Sequence, residues 1–65
     1  KNFNTFINDY RIKEARHILA NDRERRYTIE AVGEAVGFNS ANAFYRAFKK
    51  FTGVTPSFFI SQLSD

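Results

Sequence analysis

Apolar residues recur along this chain at helical spacing, and strand-like alternation is sustained nowhere. The pattern predicts four helices. The first spans about residues 4–20, with Asn4 as its N-cap. Its apolar positions form two stripes. Phe3, Phe6, Ile7 and Tyr10 share one side; Ile12, Ala15 and Leu19 share another. At about 100° per residue the two are rotated by roughly 140°, and Ile18 falls between them. One stripe is enough to lay a helix on one core. Two offset stripes favour a helix that packs on two bodies, one near each end, over a helix buried all round in a single core.

Residues 21–27 are polar and highly charged and read as a solvated connection, with no essential role expected for Arg25 or Arg26. The second helix starts at Thr28, a good N-cap. Ile29, Val32, Gly33 and Val36 then fall on one face. Gly33 inside a helix costs about 0.5–1 kcal/mol relative to alanine, which is explained if another helix crosses close there. Gly37 ends the helix at C′, and Phe38 follows where a hydrophobic contact completes such a stop. The third helix has Ser40 as N-cap and runs from Ala41 to about Phe51. Phe44, Ala47, Phe48 and Phe51 share its inner face. Asn42, Tyr45, Arg46 and Lys49 share the opposite face, with Lys50 at its margin. Thr52-Gly53 closes it. A short closing helix over 55–63 has Thr55 as N-cap and Pro56 at N1, with Phe58, Phe59 and Leu63 as inward candidates.

Composition narrows the class. Sixty-five residues make one small domain at most. The absence of cysteine removes disulfides and thiolate metal sites and favours a reducing compartment. With a single histidine, a zinc finger is excluded. No apolar run approaches the roughly twenty residues of a membrane span. Methionine is absent even at position 1, so the chain is expected to be a segment of a longer protein. Eight phenylalanines supply an aromatic core rather than a ligand pocket. Ten Lys and Arg against seven Asp and Glu leave a net charge of +3. Residues 28–37 carry Glu30 and Glu34 and no base, whereas 38–64 carry Arg46, Lys49 and Lys50 and no acid.

Two short helices joined by Gly37-Phe38-Asn39-Ser40, the second apolar on one face and basic on the other, have the layout of a helix-turn-helix. The turn needs a glycine to reverse without strain. The second helix needs short residues near its N-terminus, so that its backbone can enter a major groove roughly 12 Å wide. Ala41, Asn42 and Ala43 meet that need. Beyond them Arg46 can reach a guanine edge and the lysines can reach phosphate. Singly, each residue has an ordinary reading: Ser40 is a cap, Tyr45 a lid on the core edge, the basic trio a solvated face. Together with the turn they favour DNA binding.

The run from Tyr27 to Phe59 resembles the second helix-turn-helix of AraC/XylS-type transcription regulators. The residues that carry the resemblance are Val36-Gly37-Phe38, Ser40, Phe44, Arg46, Phe48-Lys49-Lys50, Gly53 and Thr55-Pro56. Phe6, Tyr10-Arg11-Ile12, Ala15 and Leu19 resemble the linker helix that precedes it. The resemblance implies an all-α, homeodomain-like fold. The chain divides into a linker helix over 1–20, the helix-turn-helix over 28–51 and the closing helix over 55–63. It implies that a first helix-turn-helix and a sensor or dimerisation domain lie elsewhere in the full-length chain. It also implies a bacterial, cytoplasmic, nucleoid-associated regulator that binds double-stranded DNA in a sequence-specific way. Positions matching Ala41, Asn42, Ala43 and Arg46 face the major groove; those matching Thr28, Ser40 and Lys49 lie near phosphates, and Lys50 joins them as a basic neighbour. By pairing geometry Asn42 suits adenine, Arg46 guanine, and Ala41 or Ala43 a thymine methyl. Gly33 departs from the family's usual alanine, and Ile60 stands where an arginine is frequent. Alanines at both 41 and 43 leave few direct base contacts, so affinity is expected to exceed discrimination.

A second reading is a helical interaction module whose basic face docks on an acidic protein. An enzyme has almost no support: His17 stands alone, and Glu30 and Glu34 read as a solvated acidic edge. No cofactor or metal is expected. If the linker helix leaves one apolar stripe bare, self-association follows.

Overall fold

The computed structural model describes residues 3–22, 24 and 26–63; Arg25 lies outside them. Among the described residues there are four helices and no strand: α1 (Phe3–Asn21), α2 (Ile29–Ala35), α3 (Ala41–Thr52) and α4 (Pro56–Leu63). α3 packs against the other three helices, and α1 also touches α2 and α4. The molecule measures 37 × 20 × 18 Å, elongated by α1.

The core is small and aromatic. Ile12, Ala15 and Leu19 from α1, Val32 from α2, Phe38 from the turn, and Phe44 and Phe48 from α3 are buried. Phe44 meets Phe38 at 5.5 Å and Phe48 at 5.7 Å between ring centroids, and Phe48 meets Phe59 edge-on at 5.6 Å. Such tilted pairs set the ring edge of one against the face of the next, beyond plain area burial.

Local chemistry accounts for most element ends. Thr28 and Ser40 accept from Ala31 N at 3.0 Å and Ala43 N at 3.1 Å, and Thr55 accepts from Phe58 N at 3.1 Å, so each serves as the expected N-cap. At the end of α2, Phe38 N donates to Gly33 O and Gly37 N to Glu34 O, both at 3.0 Å. This is the Schellman pattern, and Gly37 holds the positive φ of 108° that it demands. Pro56 is buried at the first position of α4.

Three expectations need correction. Asn4 is not the N-cap of α1: the helix already includes Phe3, so Asn4 sits within its first turn. The connection after α1 is not simply solvated. Asp22 is buried, and its carboxylate accepts from Arg26 N and Tyr27 N at 2.9 Å each, folding the chain back toward α2. In α4, Phe59 and Ile60 pack against the core while Phe58 and Leu63 are exposed. The short helix lies so that its Phe59 edge meets Phe48.

The two stripes of α1 have opposite fates. Ile12, Ala15 and Leu19 are at most 2 % exposed, whereas Phe3, Phe6 and Tyr10 are 74 %, 68 % and 59 % exposed, and Ile7 of that stripe is half-buried. α1 is therefore not buried all round.

Candidate nucleic-acid interface

α3 is held by its inner face. Phe44 and Phe48 are fully buried, and Ala47 and Phe51 pack beside them. At helical period this turns Asn42, Arg46 and Lys49 outward, and all three are exposed. Ala43 and Lys50 are also exposed, and Ala41 is half-buried. The only ion pairs among the described residues join Lys13 to Asp9 and Arg26 to Glu24. None neutralises Arg46, Lys49 or Lys50.

α2 sets the angle at which α3 is presented. A methyl group on Gly33 would lie 2.7 Å from Cγ of Phe44, closer than carbon atoms can approach. The glycine is thus the crossing point of the two helices, where its backbone rests on the Phe44 ring. Its departure from alanine permits a closer crossing rather than loosening the helix. From the side, Tyr45 donates its hydroxyl to Glu30 Oε2 at 3.2 Å, while its ring lies 6.2 Å from that of Phe44. Tyr45 is therefore a tie between α3 and α2 at the edge of the outward face. Partial burial, then the hydrogen bond to Glu30, then its negative charge, raise the Tyr45 hydroxyl above its ordinary pKa of 10.0.

Arg11 of α1 was not legible as a structural residue. Its guanidinium sits over the Phe38 ring at 5.8 Å from the centroid. Its Nε comes within 3.0 Å of where a side chain on Gly37 would begin. The turn is thus pinned between its own hydrogen bonds and a cation from α1. The sequence signal was an arginine next to the buried Ile12, which periodicity alone treats as a polar flank.

The site residues do not gather into one pocket. Asn42, Arg46 and Lys49 share the exposed face of α3. Thr28 and Ser40 are exposed, each with its hydroxyl oxygen already accepting from its own helix. Ala43, Arg46 and Lys50 border a cleft shared with α1. Among the described residues no group of histidine, cysteine and carboxylate side chains is spaced to hold a metal, and no helix is long and apolar enough to cross a membrane. A family model described as a helix-turn-helix domain matches residues 1–62.

The chain belongs to the AraC-type helix-turn-helix family.

This family placement makes the chain a helix-turn-helix domain of the DNA-binding, transcription-regulating type. The chain is also 38% identical over 58 residues to YobQ of Bacillus subtilis (strain 168), an uncharacterized helix-turn-helix-type transcriptional regulator. That alignment covers 89% of this chain and 23% of YobQ, so the chain spans about a quarter of that relative's length. No solved structure matches the chain significantly. The residues that carry the resemblance to this family include the caps, turn and core just described: Gly37-Phe38, Ser40, Phe44, Phe48 and Thr55-Pro56.

Proposed function

We propose that this chain binds double-stranded DNA in a sequence-dependent manner by inserting α3 in the major groove, as part of a transcription regulator. One observation carries the reading: α3 is gripped along its inner face by buried aromatics, while its outer face presents Asn42, Arg46 and Lys49 with no ion-pair partner among the described residues. An α-helix fits the major groove only if its leading side chains are short, and Ala41, Asn42 and Ala43 lead α3. Arg46, one turn further, pairs its planar fork with a guanine edge; Asn42 pairs with adenine; Ala41 or Ala43 touches a thymine methyl. Lys49 and Lys50 neutralise phosphates, and the hydroxyls of Ser40 and Thr28 donate to phosphate while their oxygens keep the helix caps.

Tyr45 and the acidic edge at Glu30 and Glu34 fit this reading. Glu30 lies beside the DNA face, where a free carboxylate would repel phosphate, and the Tyr45 hydroxyl shares its charge. The exposed stripe of Phe3, Phe6 and Tyr10 is where a preceding helix-turn-helix of the full-length chain packs; bare, it drives self-association.

The test is fluorescence anisotropy with a short duplex at low and moderate salt, for the unmutated chain and Arg46→Ala. About three to five phosphate contacts predict a log–log salt slope near −3 to −4.5 and affinity near 10⁻⁴–10⁻⁶ M at physiological salt. Arg46→Ala should weaken binding. Salt-independent binding overturns the phosphate contacts and binding indifferent to Arg46→Ala overturns the groove contact, while no binding by the folded chain even at low salt favours docking of the basic face on an acidic protein or a need for the first helix-turn-helix.

A further inference from the structure

The buried stripe of α1 changes character partway along. Ile12, Ala15 and Leu19 are apolar and buried. Continued toward the N-terminus at the same period, the stripe reaches Asn8 and Thr5. Both are polar and both are half-buried. The aromatics of this half of α1 point elsewhere, into solvent. The polar pair faces α3 instead. Between them lies an open cleft of about 280 Å³, lined by Thr5 and Asn8 of α1 and by Ala43, Arg46, Ala47, Lys50 and Phe51 of α3.

Three features make this cleft fit an anion. No carboxylate lines it, and the neighbouring Asp9 is engaged with Lys13 at 3.4 Å. Two of the five α3 residues that line it, Ala43 and Ala47, are small, which leaves room between the helices. The groups around it are donors: no hydrogen bond or ion pair among the described residues engages Asn8, Arg46 or Lys50. Lysine, arginine and asparagine are among the side chains that hold DNA phosphates.

We propose that the cleft seats one backbone phosphate of duplex DNA, the Lys50 ammonium supplying charge and the Asn8 carboxamide an N–H, so that α1 itself forms part of the DNA interface. This rests on the DNA-binding reading above. Arg46, at the mouth of the cleft, remains available to the base edges. A phosphate held jointly by α1 and α3 fixes the tilt of α3 in the groove, which a contact from α3 alone does not.

The test is anisotropy of the chain with a short duplex across a salt series, for the unmutated chain, Asn8→Asp, Asn8→Lys, Lys50→Gln and the control Ala20→Asp. Ala20 is exposed and lies about 18 Å further along α1, beyond the screening length at physiological salt of about 8 Å. Asn8→Asp should weaken binding by about tenfold and the control by less than about threefold. Asn8→Lys should tighten binding and steepen the salt slope by about 0.9, while Lys50→Gln should flatten it by as much. Lys50→Gln should lose less in the Asn8→Asp background than alone, as residues sharing one ligand do. Equal effects of Asn8→Asp and Ala20→Asp, with no gain from Asn8→Lys, overturn this inference and leave the DNA reading standing. Absence of salt-dependent duplex binding by the unmutated chain overturns both.

Discussion

The two halves of α1 are equally rich in apolar residues and have opposite surroundings. Toward its C-terminal end, Ile12, Ala15 and Leu19 are sealed beneath α2 and α3. Toward its N-terminal end, Phe3, Phe6 and Tyr10 stand in solvent. The difference teaches that an apolar stripe says a helix has an appetite for a partner, and not where that partner is. In the C-terminal half the partner is supplied within the described residues. In the N-terminal half the same helix turns polar residues toward α3 and its aromatics away from it.

The largest effect should come from the same truncation made on each half. Leu19→Ala should cost about 2–5 kcal/mol, comparable with the whole stability of about 3–5 kcal/mol that a chain this size can supply. Phe6→Ala should stay within about 0.5 kcal/mol. Circular-dichroism melts of the two variants would break the comparison if Phe6→Ala proved as costly as Leu19→Ala.

Adding volume to the filled side is the next probe. Gly33→Ala places a methyl against Phe44 and should cost about 1–3 kcal/mol by overpacking, even though alanine is the better helix former. Urea denaturation would show it as a lower midpoint. An unchanged or raised midpoint would mean that the α2–α3 crossing relaxes freely.

Asp22 sits where the buried half of α1 ends. Asp22→Ala leaves the N–H groups of Arg26 and Tyr27 without their acceptor and should cost about 1–3 kcal/mol. Hydrogen exchange of those two amides should accelerate first, ahead of the helices.

On the exposed half the expected change is in association rather than stability. Phe6→Ser should shift sedimentation toward monomer and leave the melting temperature near that of the unmutated chain. A chain already monomeric at high concentration would remove the association expected of that stripe.

The smallest effect is at Tyr45. Its pKa is raised in the folded state, so folding favours the neutral hydroxyl. That contribution is present below the unfolded pKa near 10 and is lost as pH rises through the raised folded value. A melt series from pH 9 upward should show the loss in the unmutated chain, and Tyr45→Phe should blunt it.

Much of this was legible because it is local. Caps at Thr28, Ser40 and Thr55, the glycine stop at Gly37 and the outward basic face of α3 each depend on residues within a turn or two of one another. The inner assignment of α4 failed for the opposite reason. In a helix of eight residues, Phe58, Phe59 and Leu63 are nearly equivalent by pattern, and only the position of the Phe48 ring selects Phe59. Asp22 and Arg11 were hidden for the same reason: each acts on a segment that tertiary packing brings to it. For the candidate DNA face, the sequence placed Asn42, Arg46 and Lys49 together. It gave no hint of Asn8, which only the tertiary structure brings into one cleft with Lys50.

By itself, then, the sequence determined the four helices, the caps at Thr28, Ser40 and Thr55, the turn and the sidedness of α3, because hydrogen bonds and periodicity over a few residues settle those features. Only the tertiary structure decided which stripe of α1 is buried, why position 33 excludes a side chain, and that α1 and α3 enclose a donor-lined cleft. Those features depend on the distance and angle between helices, and these emerge from the packing of all the core side chains at once.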